Sequence, residues 1–169
     1  MDARPKLFVV GPKEGMALDP AGLGVDFKIR SEETGGRLAV VEQPMEPGRL
    51  VPPHDHHRED ELSYVLEGTF GVRVGDEVAT VSRGSYVYKP RGLPHTFWNP
   101  GPTPGRLLEI IWPAGFERFF QRLAELTQTA GQELDVKRAE LGREYDLELV
   151  PEWIPLLQEE YGLRLLGPG

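Results

Sequence analysis

Glycine and proline punctuate this chain so densely, at 20 and 16 of 169 residues, that long helices are a poor fit and many short strands joined by turns are a good one. Extended segments are expected at Lys6–Val10, Val25–Arg30, Arg37–Gln43, Leu62–Leu66, Thr69–Val74, Glu77–Val81, Ser85–Lys89 and Arg106–Trp112. The second of these alternates apolar and polar, the period of a half-buried strand. Gly75-Asp76 reads as a hairpin turn, and Gly68 as a turn residue that tolerates positive φ. Residues 11–22 read as loop and 31–36 as a turn. After Gly115 the pattern changes. Apolar residues at 116, 119, 120, 123 and 126 follow a helical spacing over 115–129, with further helices expected at 133–144 and 151–161 and an extended tail. Helices are therefore expected only after Trp112, packed by their apolar sides on the strands or on a second subunit.

The histidines are as unevenly distributed as the turns. His54, His56 and His57 fall in GRLVPPHDHHREDELSYVLEG, and His95, the fourth and last, in GSYVYKPRGLPHTFWN. Residues two apart on a strand share a face, so His54 and His56 can present both rings to one side while His57 faces the other. Glu61 has the wrong parity to continue that face in one unbroken strand, but it converges if the chain turns at Arg58–Asp60. Two imidazoles and a carboxylate on one face suit a divalent first-row metal and leave positions open. His95, arriving on another strand, is a fourth candidate ligand.

Gly48, five residues, His54-X-His56, four residues, Glu61, six residues, Gly68 resembles the first motif of the cupin superfamily. Gly84, five residues, Pro90-X-Gly92, two residues, His95, three residues, Asn99 resembles the second. The resemblance implies an all-β fold, a small antiparallel β-barrel of the double-stranded β-helix or jelly-roll kind spanning residues 1–112. Residues 113–169 would form a C-terminal helical extension packed on it, the whole being one structural domain. It further implies metal ligands at His54, His56, Glu61 and His95, with His57 outside the shell, and one divalent transition metal per chain: Fe, Mn, Ni, Co, Cu or Zn. Beyond the two motifs, the stretch HDHHREDELSYVLEGTFGVRVGDE, with PAGFERFFQRLAEL and EEYGLRLLGPG, is similar to single-domain bacterial cupins of the quercetin 2,3-dioxygenase-like type. That similarity implies a flavonol bound through its oxygens, with Glu61 also serving as proton acceptor.

Other classes find no support. A net charge of −8 argues against a nucleic-acid surface, which needs clustered Lys and Arg. The absence of cysteine removes disulfides and thiolate sites. The N-terminal apolar run is too short for a signal peptide, and no segment approaches the roughly 20 apolar residues of a membrane helix. A cytoplasmic protein with a small-molecule substrate or ligand, and no nucleic-acid or membrane partner, is the expectation. A homodimer is also expected, because a small barrel leaves sheet edges and the extended segments before residue 30 can add to a neighbour's sheet. No Ser-His-Asp order, P-loop or Rossmann fingerprint is present. Three functions fit: a dioxygenase on a flavonol or other enolic compound, another metal-cupin enzyme such as an isomerase or lyase, and a non-catalytic binding or sensor protein. Tyr64, Phe97 and Arg91 are the candidate substrate contacts near the mouth. Asn99 is expected to satisfy local backbone groups.

Overall fold

A computed structural model describes residues 7–19, 22–126 and 132–166. In chain order its elements are β1 (Met16–Leu18), β2 (Val25–Ile29), α1 (Ser31–Thr34), β3 (Ala39–Met45), β4 (Arg49–Leu50), β5 (His54–His56), β6 (Asp60–Glu67), β7 (Thr69–Val74), β8 (Glu77–Ser82) and β9 (Tyr86–Lys89). They continue with β10 (His95–Trp98), β11 (Gly105–Trp112), α2 (Glu117–Leu126), α3 (Gln132–Glu144), β12 (Leu147–Leu149), α4 (Trp153–Tyr161) and β13 (Arg164–Leu165). Among the described residues no helix is long and apolar enough to cross a membrane.

The strands form two facing sheets. One runs β1-β2-β3-β11-β6-β9. The other runs β12-β5-β10-β4-β13, with β7 pairing both β10 and β8. Every pairing is antiparallel except that of β13 with β4. This is the jelly roll expected from the motifs, followed by small C-terminal helices. Along β3 and β11 the buried and half-buried positions alternate strictly, the signature of a sheet with one inner face. Val25, Phe27, Val41, Val65, Phe70, Leu107 and Ile111 meet in the core between the sheets. Each such side chain contributes roughly 1.5–3 kcal/mol of burial free energy. A second cluster of Leu50, Trp98, Leu157 and Leu163 seats α4 and the chain's end on β4 and β10.

Two glycines are required by what lies against them. Gly68, at φ +82, turns β6 into β7 with its Cα against Gly105, where an added Cβ would come within 3.0 Å. Gly71 lies under the indole of Trp98, and a Cβ there would fall 2.0 Å from its Cε2.

Several expectations need correction. Leu7–Val10 forms no strand, and Lys6 lies outside the described residues. The first strand is instead Met16–Leu18, within the stretch expected to be loop. Residues 31–34 make one helical turn before β3, held by Glu33 accepting hydrogen bonds from the Arg30 backbone N–H and guanidinium, so helix is not confined to the C-terminal part. β12, in the segment between the second and third expected helices, pairs with β5. The end of the first expected helix, residues 127–129, lies outside the described residues.

Candidate metal centre

The local chain path explains the convergence. β5 carries His54 and His56, the chain turns through His57–Glu59, and β6 returns with Glu61 facing inward. His95 opens β10 and lies directly across from His54 in the ladder. The backbone N–H of Gly92 donates to the carbonyl of His56 at 2.8 Å, which fixes the turn that delivers His95. Nitrogen and oxygen atoms of His54, His56, Glu61 and His95 all lie within 4.8 Å of one another.

The protonation pattern follows from the partners. The Pro52 carbonyl, 2.7 Å away, takes the Nδ1–H of His54, and the Leu93 carbonyl, 3.2 Å away, takes that of His95. Each ring therefore keeps an Nε2 lone pair for the centre. Nε2 of His56 and of His95 are buried without a hydrogen-bond partner. An unpartnered buried ring nitrogen is costly, and a cation at the centre would relieve both. Burial, followed by neighbouring His95 and His56, pushes His54 well below its ordinary value. Burial also lowers His56 to about 4, against the opposing pull of Glu61. Both rings are thus neutral, the form that binds metal. Burial alone would raise Glu61, but Lys89, then His56 and His95, hold its carboxyl well below the usual range. The donor set of three imidazoles and one carboxylate fits a divalent first-row ion with open positions.

Behind Glu61 lies a polar layer that sequence reasoning missed. Lys89, 3% exposed, places Nζ 2.8 Å from Glu61 Oε2 and 3.0 Å from Glu109 Oε2. Ser63 Oγ donates to Glu109 at 2.8 Å. Burial raises Glu109, with Lys89 opposing. Lys89 stays charged because Glu109 and Glu61 outweigh its desolvation. The signal for these residues was parity: Glu109 shares the buried phase of β11 with Leu107 and Ile111, and Gln43 that of β3 with Val41 and Met45. Glu59, also missed, packs its carboxyl 3.8 Å from Nδ1 of His56, and burial lifts it to about 7.

A cavity of about 990 Å³ opens above this floor. Gln43, His54, Glu61, Lys89 and Glu109 are polar residues of its lining near the cluster, and His57, Asp135, Arg138, Arg143, Asp146 and Glu148 line it as well; Val51, Phe97, Phe116, Phe119, Phe120 and Leu123 are among its apolar walls. The size lies at the upper end of the roughly 300–1,000 Å³ usual for small-molecule sites. Helices α2 and α3 line the cavity and do not simply back onto the outer surface.

Of the expected substrate contacts, Phe97 is in this wall. Tyr64 lies on the opposite face of β6 from Glu61, its ring 4.6 Å from that of Tyr86. Arg91 is half-exposed and paired with Asp60 at 2.7 Å. Neither lines the cavity. His57 is turned away from the cluster toward the rim, 3.2 Å from Glu148. Asn99 bridges the Met45 and Thr103 carbonyls and the Gly101 N–H, closing the end of β10.

Residues 41–111 match the sequence profile of the cupin domain. Together with the jelly roll, the match places this part of the chain in the cupin superfamily, with a His/Glu cluster able to bind a metal. The chain is 34% identical over 80 residues to the tetracenomycin polyketide synthase protein TcmJ of Streptomyces glaucescens, covering 47% of this chain and 52% of TcmJ. It is likewise 34% identical over 80 residues to the xanthan biosynthesis protein XanB of Xanthomonas campestris, covering 47% of this chain and 17% of XanB. The chain thus spans about half the length of TcmJ and less than a fifth of that of XanB. An RmlC-like cupin from Shewanella frigidimarina superposes with a TM-score of 0.56 at 22% identity, covering 67% of this chain and 96% of that one.

Proposed function

We propose that the protein is a metal-dependent dioxygenase that acts on a flavonol or a related enolic aromatic compound. One observation carries this reading: an aromatic-walled cavity stands directly over a three-histidine, one-carboxylate cluster. Phe97, Phe116, Phe119 and Phe120 offer flat apolar surface to a planar ring system. The cluster sets polar groups beside that aromatic surface, and Asp135, Arg138, Arg143, Asp146 and Glu148 add charged groups elsewhere on the lining.

In this reading His54, His56, Glu61 and His95 hold one divalent ion. When bound, that ion supplies a Lewis acid for two adjacent substrate oxygens and a route for electrons toward dioxygen. The chain's own residues do the rest. The phenylalanines orient the ring system and exclude water. Glu61 accepts the proton of the enolic hydroxyl through Oε1, the oxygen that Lys89 does not hold. The low basicity of that carboxylate favours a substrate whose hydroxyl is itself acidified.

The test is oxygen uptake and loss of quercetin absorbance with protein loaded in turn with Fe(II), Mn(II), Co(II) and Ni(II). Turnover above the metal-free background with at least one metal is expected. Glu61→Gln should lower turnover more than it lowers flavonol binding, at equal metal content. Background rates with all four metals would sink the proposal and move the isomerase, lyase and binding-protein readings ahead.

A further inference from the structure

We infer that Lys89 is a substrate-contacting residue, whose ammonium group donates its third N–H to an anionic oxygen of the molecule in the cavity. This inference rests on the reading of the cavity as the seat of an enolic aromatic compound, and it identifies the bound form as the oxyanion.

The argument is a count of donors. A lysine ammonium carries three N–H donors and no acceptor. Two are taken, by Glu61 Oε2 at 2.8 Å and Glu109 Oε2 at 3.0 Å. Among the described residues no third acceptor is within reach. The ring of Phe97 has its centroid 5.3 Å from Nζ. Lys89 nevertheless lines the cavity beside Glu61, Glu109 and Phe97. A buried ammonium with a spare donor facing a cavity is a preorganised site for one negatively charged oxygen.

The anchoring explains why the donor can act. Long lysine side chains usually lose hydrogen-bond strength to their own freedom. Here two carboxylates fix the head, and Ser63 fixes the farther carboxylate by donating to both oxygens of Glu109, at 2.8 and 3.0 Å. With both acids ionised, the Glu61–Lys89–Glu109 triad has a net charge of −1. A divalent ion on the cluster makes the floor net positive, and only then does an oxyanion gain from binding there.

The experiment reads the ionisation of a bound probe without turnover. The probe is 3-hydroxyflavone, whose single hydroxyl gives distinct neutral and anionic absorbance bands, bound to zinc-loaded protein. The reference is Lys89→Met/Glu109→Gln, which removes the donor and keeps the triad's net charge at −1. At equal zinc content the probe should ionise about one pH unit higher in the double variant, the scale of one charge-assisted hydrogen bond. Lys89→Arg should restore part of the difference. In 15N-lysine-labelled wild type, which requires no variant to fold, the Lys89 ammonium resonance should shift when the probe is added. Equal ionisation in wild type and double variant, or an unmoved resonance, overturns the inference. If wild type still consumes oxygen with quercetin in that case, only this inference falls. If 3-hydroxyflavone does not bind wild type at all, the dioxygenase reading falls with it.

Discussion

Phe116 stands edge-on to His56, with 4.1 Å between ring centroids and 85° between planes. One residue of the helical part of the chain thus touches a residue of the candidate metal cluster directly. Phe116 also stacks on Phe119 and meets Phe120 edge to face. The first turn of α2 is therefore built onto the floor of the cavity.

Phe116→Ala should cost about 3–5 kcal/mol of stability, the range for emptying a buried phenylalanine site. It should also weaken metal binding, because His56 loses the ring that holds its plane. Thermal melts with and without Zn(II) measure both. A variant that melts like wild type and binds zinc equally well would show that the contact holds nothing in place.

The four histidines should separate cleanly by metal content. Alanine at His54, His56 or His95 should reduce occupancy to a small fraction of one ion per chain, while His57→Ala should leave it unchanged. His57 is half-exposed and faces Glu148 at the rim. Elemental analysis after dialysis decides. Loss of metal from His57→Ala with retention in His56→Ala would place the wrong ring at the centre.

The metal-free protein should show a pH signature of Glu59. Its folded pKa is raised by burial to about 7, against 4.5 for the free side chain. Between those values the native state binds a proton that the unfolded chain releases, so this group's contribution to stability falls as pH climbs through the window. Glu59→Gln removes that loss. The variant should gain on wild type by on the order of 2 kcal/mol between pH 4.5 and pH 7, after discounting for partial solvent contact. Urea titrations at both pH values test it. A constant difference would mean that Glu59 ionises normally.

A homodimer is the remaining expectation. β9 is a free edge of its sheet. Beside it, exposed Tyr86 and Tyr88 pack on Tyr64 and Trp112, making an aromatic patch on the outer face. Leu7, Phe8 and Val9 are exposed and unpaired in the single chain. A second copy offers both features their complement. Light scattering should give twice the 18.9 kDa of the chain, and Tyr86→Lys/Tyr88→Lys should give a monomer. A wild-type mass of one chain would refute the assembly.

The strands were legible where a turn signal and alternation coincided, as in β2, β3, β7, β8 and β11. The convergence of His54, His56 and Glu61 was legible because parity and a polar turn define which side chains can share a face, and that of His95 because its motif resembles the second cupin motif. What escaped depended on distant partners. Met16–Leu18 is a strand because it pairs with Val25–Phe27, and no local pattern announces it. Lys6–Val10 carries good strand residues, yet Leu7–Val10 finds no sheet to join in the single chain. Lys89 and Glu109 looked like ordinary strand charges because each makes sense only beside the other, twenty residues apart in the chain. The role of α2 and α3 over the cavity was invisible for a related reason: an apolar helix face specifies that something is covered, not what.

The pairing of β12 with β5 sets a time at which the centre can be assembled. Leu147 and Leu149 lie opposite His56 and His54 in the ladder, and the His57 N–H is taken by Asp146. The strand that bears two of the four candidate ligands thus receives its outer edge from a segment synthesised long after it. During translation that edge stays open, and so does the face that α2 and α3 will close. A chain still on the ribosome can present the four ligands without yet holding them rigid. Rigid coordination should therefore wait until β12 has paired with β5 and the helices have closed over the cavity.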